Sequence, residues 1–557
     1  MKRRDFLKTA TLGAVGAASA LALGGCSPTT PDAKNAELGT TGAEFPPGLT
    51  AEDFEQSPVV IEPIDDFIET HDYDIVVVGA GTSGMPAALT ALEEGASVAL
   101  LQKETTAIAQ GAMSSGVVLS ESTERGKLGF MQAYRKECSY RVNTDLLQTF
   151  MDHSGECALW MAKMGAEAGF PATSMQFSIR TYLDDQPIAL ASNIFGNKPQ
   201  NNQDLCIALA NWGEANGLDI FYSTPAVQLV VDNGAVTGVI GKTSDGYIRF
   251  NAAKGVILAT GDYQNNESLL AKWSPDLVRF AKKQVNKTGD GILLASLAGG
   301  HICPVGHSRQ MHDNDSCRMN GEPFLAVDVN GERFMNEEIP MASWVCTLLD
   351  HNKEGDPGMF CQIFDDNYED QVKSWGGSPI THEKILNWVP GAVDKPFNVD
   401  TSLIDTHFCD TLDELAEVLD IPADALKKSV ERYNELVAAG ADDDFGKDVK
   451  YLKPIDTPPY WGIRRWVRLT ATCNGIAVDG NYQVIDDENQ PIADLYAVGF
   501  GAGNLCGGVD WSTYLSGMSC GSCMTSGRIA ALHALTGQLE PSNPVTWEDV
   551  KDMYTIM

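Results

Sequence analysis

Three glycines at fixed spacing, Gly79-Ala-Gly81-Thr-Ser-Gly84, carry the most specific chemistry in the sequence. They follow an apolar, β-branched run at 74–78 and precede an Ala- and Leu-rich run at 85–94, so the order is strand, tight turn, helix. In that setting the first glycine permits the turn, the second lets the backbone approach a diphosphate, and the third lets helix pack on strand. Unpaired N–H groups at the helix start, with their partial positive charge, complete an anion site. A Gly-rich turn without a ligand is the alternative, and the flanking strand and helix argue against it. The next strand, 97–101, should end on an acid that grips ribose hydroxyls. Gln102 stands there instead, a weaker partner for a diol, followed by Lys103. The segment 110–116, with Gly111, Ser114, Ser115 and Gly116, looks like a flexible polar loop suited to wrapping a diphosphate or the edge of a ring system. An ordinary surface loop is the competing reading.

Such a site needs a large scaffold. At 557 residues the chain exceeds what one hydrophobic core usually serves, so two or more domains are expected. A hydrophobic content of 43% with 53 Gly and 26 Pro indicates a globular α/β or α+β protein. The net charge of -35 excludes nucleic acid as a partner, because phosphates would be repelled. The 13 cysteines show no metal-ligand spacing, so no metal is expected, and most are small core residues; Cys520-Gly-Ser-Cys523 is an isolated CxxC. There is no CxxCH haem-attachment motif.

The first residues have a different task. Arg3-Arg4-Asp5-Phe6-Leu7-Lys8 looks like a twin-arginine export motif, and the Ala/Gly-rich run at 9–23 is too light to span a bilayer. Leu23-Gly24-Gly25-Cys26 resembles a bacterial lipobox, with Cys26 as the lipidated residue or, alternatively, with ordinary cleavage nearby. Residues 1–26 are thus a signal and 27–60 a flexible tether. The expected location is the outer face of the cytoplasmic membrane or the cell envelope.

Further pieces follow in order. They are Pro225-Ala226-Val227 with Val236–Val239, Lys254-Gly-Val-Ile-Leu-Ala-Thr260-Gly261, Thr288-Gly289-Asp290-Gly291, Asn330-Gly-Glu-Arg333-Phe-Met-Asn336-Glu337, and 491–499 ahead of a glycine-rich helix start. With the first glycine motif, this set resembles the FAD-dependent fumarate reductase and succinate dehydrogenase flavoprotein family, including its relatives acting on ketosteroids. The resemblance covers residues 73–533 and implies FAD as cofactor. It implies an α/β fold in which a Rossmann-like FAD-binding domain is split between 61–306 and 466–557, around an inserted α+β capping domain at 307–465. Such a cap excludes water while reducing equivalents move. It also implies FAD contacts at Val227, Thr260, Gly261, Asp290 and Asn504, the last at the ribitol. Gly517 and Met518 would open the last helix toward the flavin pyrimidine.

The same comparison exposes departures. His312, in Gln310-Met-His312, matches a substrate-contacting histidine. The proton-donor arginine of the dicarboxylate enzymes aligns with Met341, their paired histidines with Thr470 and Ala471, and their last carboxylate-binding arginine with Tyr514. Each lost arginine–carboxylate contact weakens dicarboxylate binding by about 1.5–3 kcal/mol. Tyr514 before Leu-Ser516-Gly517 instead resembles the ketosteroid branch, where a tyrosine polarises a ketone; a packed aromatic is the bland alternative. His312, Tyr514 and Asp510 are the candidates for catalysis and proton supply, and Arg309 and Arg318 for replacing a lost anchor. The resemblance therefore implies an oxidoreductase acting on a small unsaturated substrate with C=C conjugated to a carbonyl, in the reductase sense, supplied by a separate membrane or cytochrome electron donor. A dehydrogenase of a saturated ketone and a non-catalytic flavin electron carrier are the alternatives.

Overall fold

The computed structural model describes residues 45–197, 200–304, 306–313, 315–339, 344–352, 355–394, 396, 399–507 and 514–557. The export signal, Cys26, Met341 and Asp510 lie outside these residues.

The chain is built around an eight-stranded α/β sheet. Glu69–Val78 pairs in parallel with Val98–Leu101 on one side and Tyr247–Leu258 on the other, with Val78 opposite both Leu101 and Leu258. Asp219–Phe221 extends the parallel set beyond Val98–Leu101. The runs Ile75–Val78 and Val98–Leu101 are buried at every residue, the mark of parallel strands covered on both faces. Helix Gly84–Glu93 packs against these strands and against the C-terminal helix Met518–Thr536. Strand Pro491–Ala497 then returns from the far end of the chain to lie parallel to Tyr247–Leu258, with Tyr496 opposite Ile257. The sheet is therefore completed by segments widely separated in sequence. Ala226–Asp232 and Ala235–Lys242 form an antiparallel pair joined to the Tyr247–Leu258 strand.

A second sheet orders Thr555–Ile556, Ala172–Tyr182, Gln186–Phe195 and Met113–Val118. It corrects one sequence expectation. The segment 110–116 is not a flexible loop throughout, because from Met113 it is a strand paired with Gln186–Phe195. Its small residues serve close packing: a Cβ on Gly116 would overlap the Ser154 carbonyl of helix Thr144–Glu167.

The region between the two halves of the main sheet contains a third sheet of Leu325–Val327, Met359–Phe364, Tyr460–Trp466 and Thr406–Cys409. Helices Leu412–Leu419 and Ala423–Ala439 pack with it, the first opened by a capping box between Thr411 and Glu414. Two hydrophobic clusters of its own, around Leu415/Val430 and Phe364/Trp461, hold this region together. Arg333 ties its turns by bonding Glu337 at 2.9 Å and Asp442 at 2.7 Å, and Lys447 meets Glu337 at 3.1 Å. A two-stranded antiparallel ribbon, Arg309–His312 with Arg468–Thr472, stands at both crossings between this region and the main sheet. Among the described residues no helix is long and apolar enough to cross a membrane.

Candidate functional site: a cofactor groove and the ribbon beside it

The parallel strands end together, and their ends wall a groove of ≈ 1140 Å³, its open mouth included. Across the sheet these ends are Gln102–Glu104, then Gly79–Ser83, then Ala259–Asp262, and finally Phe500 beyond Pro491–Ala497. Ligands of open α/β sheets lie across strand ends in this way. Pro225 and Ala226 border one side, and Cys520 and Cys523, from the first turns of the C-terminal helix, border another.

The lining is shaped for a long phosphorylated ligand. Gly79 has φ +107° and a Cβ there would sit 2.5 Å from the Ala259 carbonyl oxygen, while one on Gly81 would sit 3.1 Å from that of Ile108. Only glycine leaves this backbone open to a ligand. Neither the helix that begins at Gly84 nor the one that begins at Met518 is capped by a side chain, so N–H groups at both starts stay available to an anion. Two buried acceptors nearby, Gln110 Oε1 and Ser114 Oγ, have no hydrogen-bond partner among the described residues. A cofactor with hydroxyl and N–H donors fits these features.

Of the sequence candidates, Gly79, Gly81, Gln102, Lys103, Thr260, Gly261 and Asp290 line the groove. Gln102 is buried there, and its side-chain amide donates to the Thr106 carbonyl at 2.8 Å. Lys103 Nζ bonds Thr288 Oγ1 at 3.0 Å and Asp290 at 2.9 Å, and Thr288 in turn donates to Asp290. Gly84 stands behind the turn, where a Cβ would overlap the Gly79 carbonyl. Val227 is fully buried beside the lining residue Ala226. Gly111 abuts the Cys520 sulfur. Ser115 Oγ bonds the Ser516 carbonyl at 2.7 Å, and Ser115 N donates to the Gly517 carbonyl at 3.0 Å, so this strand anchors the start of the last helix at Gly517 and Met518. Asn504 bonds the Arg141 carbonyl at 3.1 Å and does not line the groove; Phe500 does.

Several lining residues were absent from the sequence candidates. Glu104 is an acid three residues beyond the second strand and bonds Asn286 at 2.8 Å, a signal that could have been weighed once Gln102 proved neutral. Phe500 was lost to the choice of register over 499–504. Lys287 had no motif to reveal it. The thiols of Cys520 and Cys523 are pushed up by burial, Cys520 to about 11, so they are protonated packing groups on the wall.

Asp262 links groove and ribbon. It is buried, its carboxyl pushed up by desolvation, and it accepts from Thr472 N at 2.9 Å and Gln264 Nε2 at 2.9 Å. On that ribbon His312 lies opposite Arg468, and its Nδ1 is 3.5 Å from Thr470 Oγ1. Arg309 is buried and paired with Asp276, and Arg318 is exposed. Tyr514 sits outside the groove, in a wall of Phe130, Tyr134 and Tyr182. Its hydroxyl donates to Tyr182 Oη at 2.8 Å, and burial, then Tyr182, raise its proton affinity. The structure brings His312 and Thr470 together, and Tyr514 and Tyr182 together.

This fold and groove define a flavin-dependent oxidoreductase class, and comparison with known proteins makes the assignment. A family model for the FAD binding domain matches residues 74–520, and the chain belongs to that family. It is 27% identical over 511 residues to vinyl phenol reductase of Lactiplantibacillus plantarum, covering 83% of this chain and 97% of that one. It is 25% identical over 483 residues to fumarate reductase (cytochrome) of Shewanella frigidimarina, covering 83% and 77%. The fold is shared with the open conformation of a flavocytochrome c3 fumarate reductase, at TM-score 0.62 and 22% identity over 84% of this chain and 79% of that chain. The cofactor is FAD and the protein is an FAD-dependent oxidoreductase.

Proposed function

We propose that the enzyme reduces a C=C bond conjugated to a carbonyl in a small organic molecule. Bound flavin supplies the two-electron chemistry. The groove's glycine turn and the two uncapped helix starts would hold the cofactor, and the ribbon would present substrate to it. The carrying observation is that this ribbon is bonded to the groove wall through Asp262 and Thr472. It bears uncharged Thr470 and Ala471 at the positions where the dicarboxylate enzymes carry histidines. Vinyl phenol reductase and NADH:acrylate oxidoreductase of Vibrio harveyi, the latter 24% identical, are named for compounds with a vinyl or acrylate C=C and support the reductase sense. A 3-oxosteroid 1-dehydrogenase of Mycobacterium tuberculosis, 28% identical over 57% of this chain, supports the dehydrogenase alternative.

In this reading His312 orients the substrate, and Tyr514, its hydroxyl turning from Tyr182 toward the substrate, donates a hydrogen bond to the carbonyl as charge develops there. Asp510 remains a second proton-supply candidate. The twin-arginine and lipobox residues support export and tethering outside the cytoplasmic membrane, with electrons arriving from a separate membrane or cytochrome donor.

Photoreduced enzyme mixed anaerobically with enones, aryl acrylates, urocanate and fumarate tests the reading. Rapid flavin reoxidation by enones or aryl acrylates is expected, and fumarate should be slow. Fast oxidation by fumarate alone would overturn the substrate class, and silence throughout would favour an electron carrier.

A further inference from the structure

Lys287 lines the groove, and its ammonium makes no hydrogen bond among the described residues. Its side chain lies across Gly261: a Cβ built there would meet Lys287 Nζ at 3.1 Å, Cδ at 3.4 Å and Cε at 3.7 Å. Gly261 follows the end of Tyr247–Leu258, the strand next to the one that ends in the glycine turn, with Leu258 opposite Val78. The ammonium therefore stands between the ribose end of the groove, at Gln102–Glu104, and the flavin end, at Phe500 and Cys523. That is the stretch where a dinucleotide carries its diphosphate.

The other charges around it make their hydrogen bonds elsewhere, although Asp262 and Asp290 still act on it through space. Lys103 is held by Thr288 and Asp290. Asp290 also accepts from Ser57 at 2.8 Å. Asp262 is turned to Thr472 N and Gln264. No hydrogen bond from Lys287 Nζ occurs among the described residues, although its backbone N–H bonds Asn265 Oδ1 at 3.0 Å. Desolvation lowers its proton affinity, and the nearby Asp262 offsets only part of this. A cation so placed is costly until an anion arrives. The glycine turn offers neutral N–H donors, so a cation adds what the motif itself lacks.

We infer that Lys287 binds the diphosphate of FAD, with its ammonium paired to the phosphate oxygens over the glycine turn. The inference rests on the FAD assignment and adds a cofactor-binding residue that neither the glycine motif nor the second flavin strand contains. It makes the cofactor's charge part of the affinity, so ligands that share the diphosphate should depend on Lys287 and ligands that lack it should not.

The test is binding to apoprotein of wild type, Lys287→Gln and Lys287→Arg. FAD is followed by fluorescence quenching, ADP by displacement of FAD, and riboflavin as the flavin without phosphate. Lys287→Gln should weaken FAD and ADP roughly ten- to a hundredfold, the range for a lost charge-assisted bond. Riboflavin should be unchanged, and Lys287→Arg should restore most of the affinity. Unchanged FAD and ADP binding in Lys287→Gln would overturn the inference while the FAD assignment stands. Equal weakening of riboflavin would also overturn it, since that marks a distorted groove. Wild-type protein that binds no FAD would remove the assignment beneath it. If Lys287→Gln does not fold, Lys287→Ala takes its place under the same outcomes.

Discussion

Replacing Gly84 by alanine should damage FAD binding although Gly84 does not touch the groove. A Cβ at this position overlaps the Gly79 carbonyl oxygen, comes to 2.9 Å from its carbon and to 3.2 Å from Ala259 Cβ. The obstacles are backbone and a short side chain, so no rotamer change relieves the clash. Gly79 cannot simply retreat, because it donates to the Leu101 carbonyl at 2.7 Å and is confined by the Ala259 carbonyl oxygen. Inserting atoms into such packing costs about 1–3 kcal/mol. The strain falls on the turn that would face the diphosphate, so FAD affinity should drop roughly five- to a hundredfold at about 1.4 kcal/mol per tenfold. Reconstitution of apoprotein followed at the flavin absorbance gives the number. Gly321→Ala is the control, because nothing lies within 4 Å of the Cβ it would add. A Gly84→Ala protein with wild-type FAD affinity and wild-type thermal stability would refute the argument that helix and strand meet there with no room for a methyl group.

Tyr514→Phe should lower turnover of the best alkene substrate by about a hundredfold, the scale of a lost oxyanion donor, with FAD binding intact; unchanged kcat would reduce Tyr514 to a packed aromatic. His307 is 1% exposed, and its imidazole bonds the Tyr263 hydroxyl at 2.6 Å and the Cys303 carbonyl at 2.9 Å. Desolvation pushes its pKa down to about 4, so the folded protein holds it neutral while the unfolded chain protonates near 6.5. The unfolded state binds the extra proton between those values, so this residue's contribution is complete above pH 6.5 and is lost as pH falls toward 4, on the order of 3 kcal/mol in all. Denaturant titrations at stepped pH should show that slope in wild type and a shallower one in His307→Gln; equal slopes would contradict the assignment of a neutral buried imidazole.

How much of this was legible in the residues depends on whether the signal was local. The turn 79–84 was legible because strand, glycine spacing and helix lie side by side in the chain and each glycine answers a backbone constraint. The return of Pro491–Ala497 to the main sheet was legible only through resemblance, since no local pattern says that two distant strands will pair. Gln110–Gly116 misled because serine and glycine mark flexible loops and tight packing alike. Only the neighbouring helix Thr144–Glu167 decides which applies.

By itself the sequence determined that this protein holds a dinucleotide on an α/β scaffold and, by likeness to its family, that the cofactor is FAD. Tertiary structure alone decided that the Gln102 amide bonds the Thr106 carbonyl, that Phe500 rather than Asn504 reaches the groove, that Tyr514 shares its hydroxyl with Tyr182, and that Lys287 lies on the groove wall. The reason is physical. Backbone constraints and hydrophobic runs act over a few residues, whereas the direction and partner of a polar side chain depend on groups that only the folded chain brings within hydrogen-bond reach.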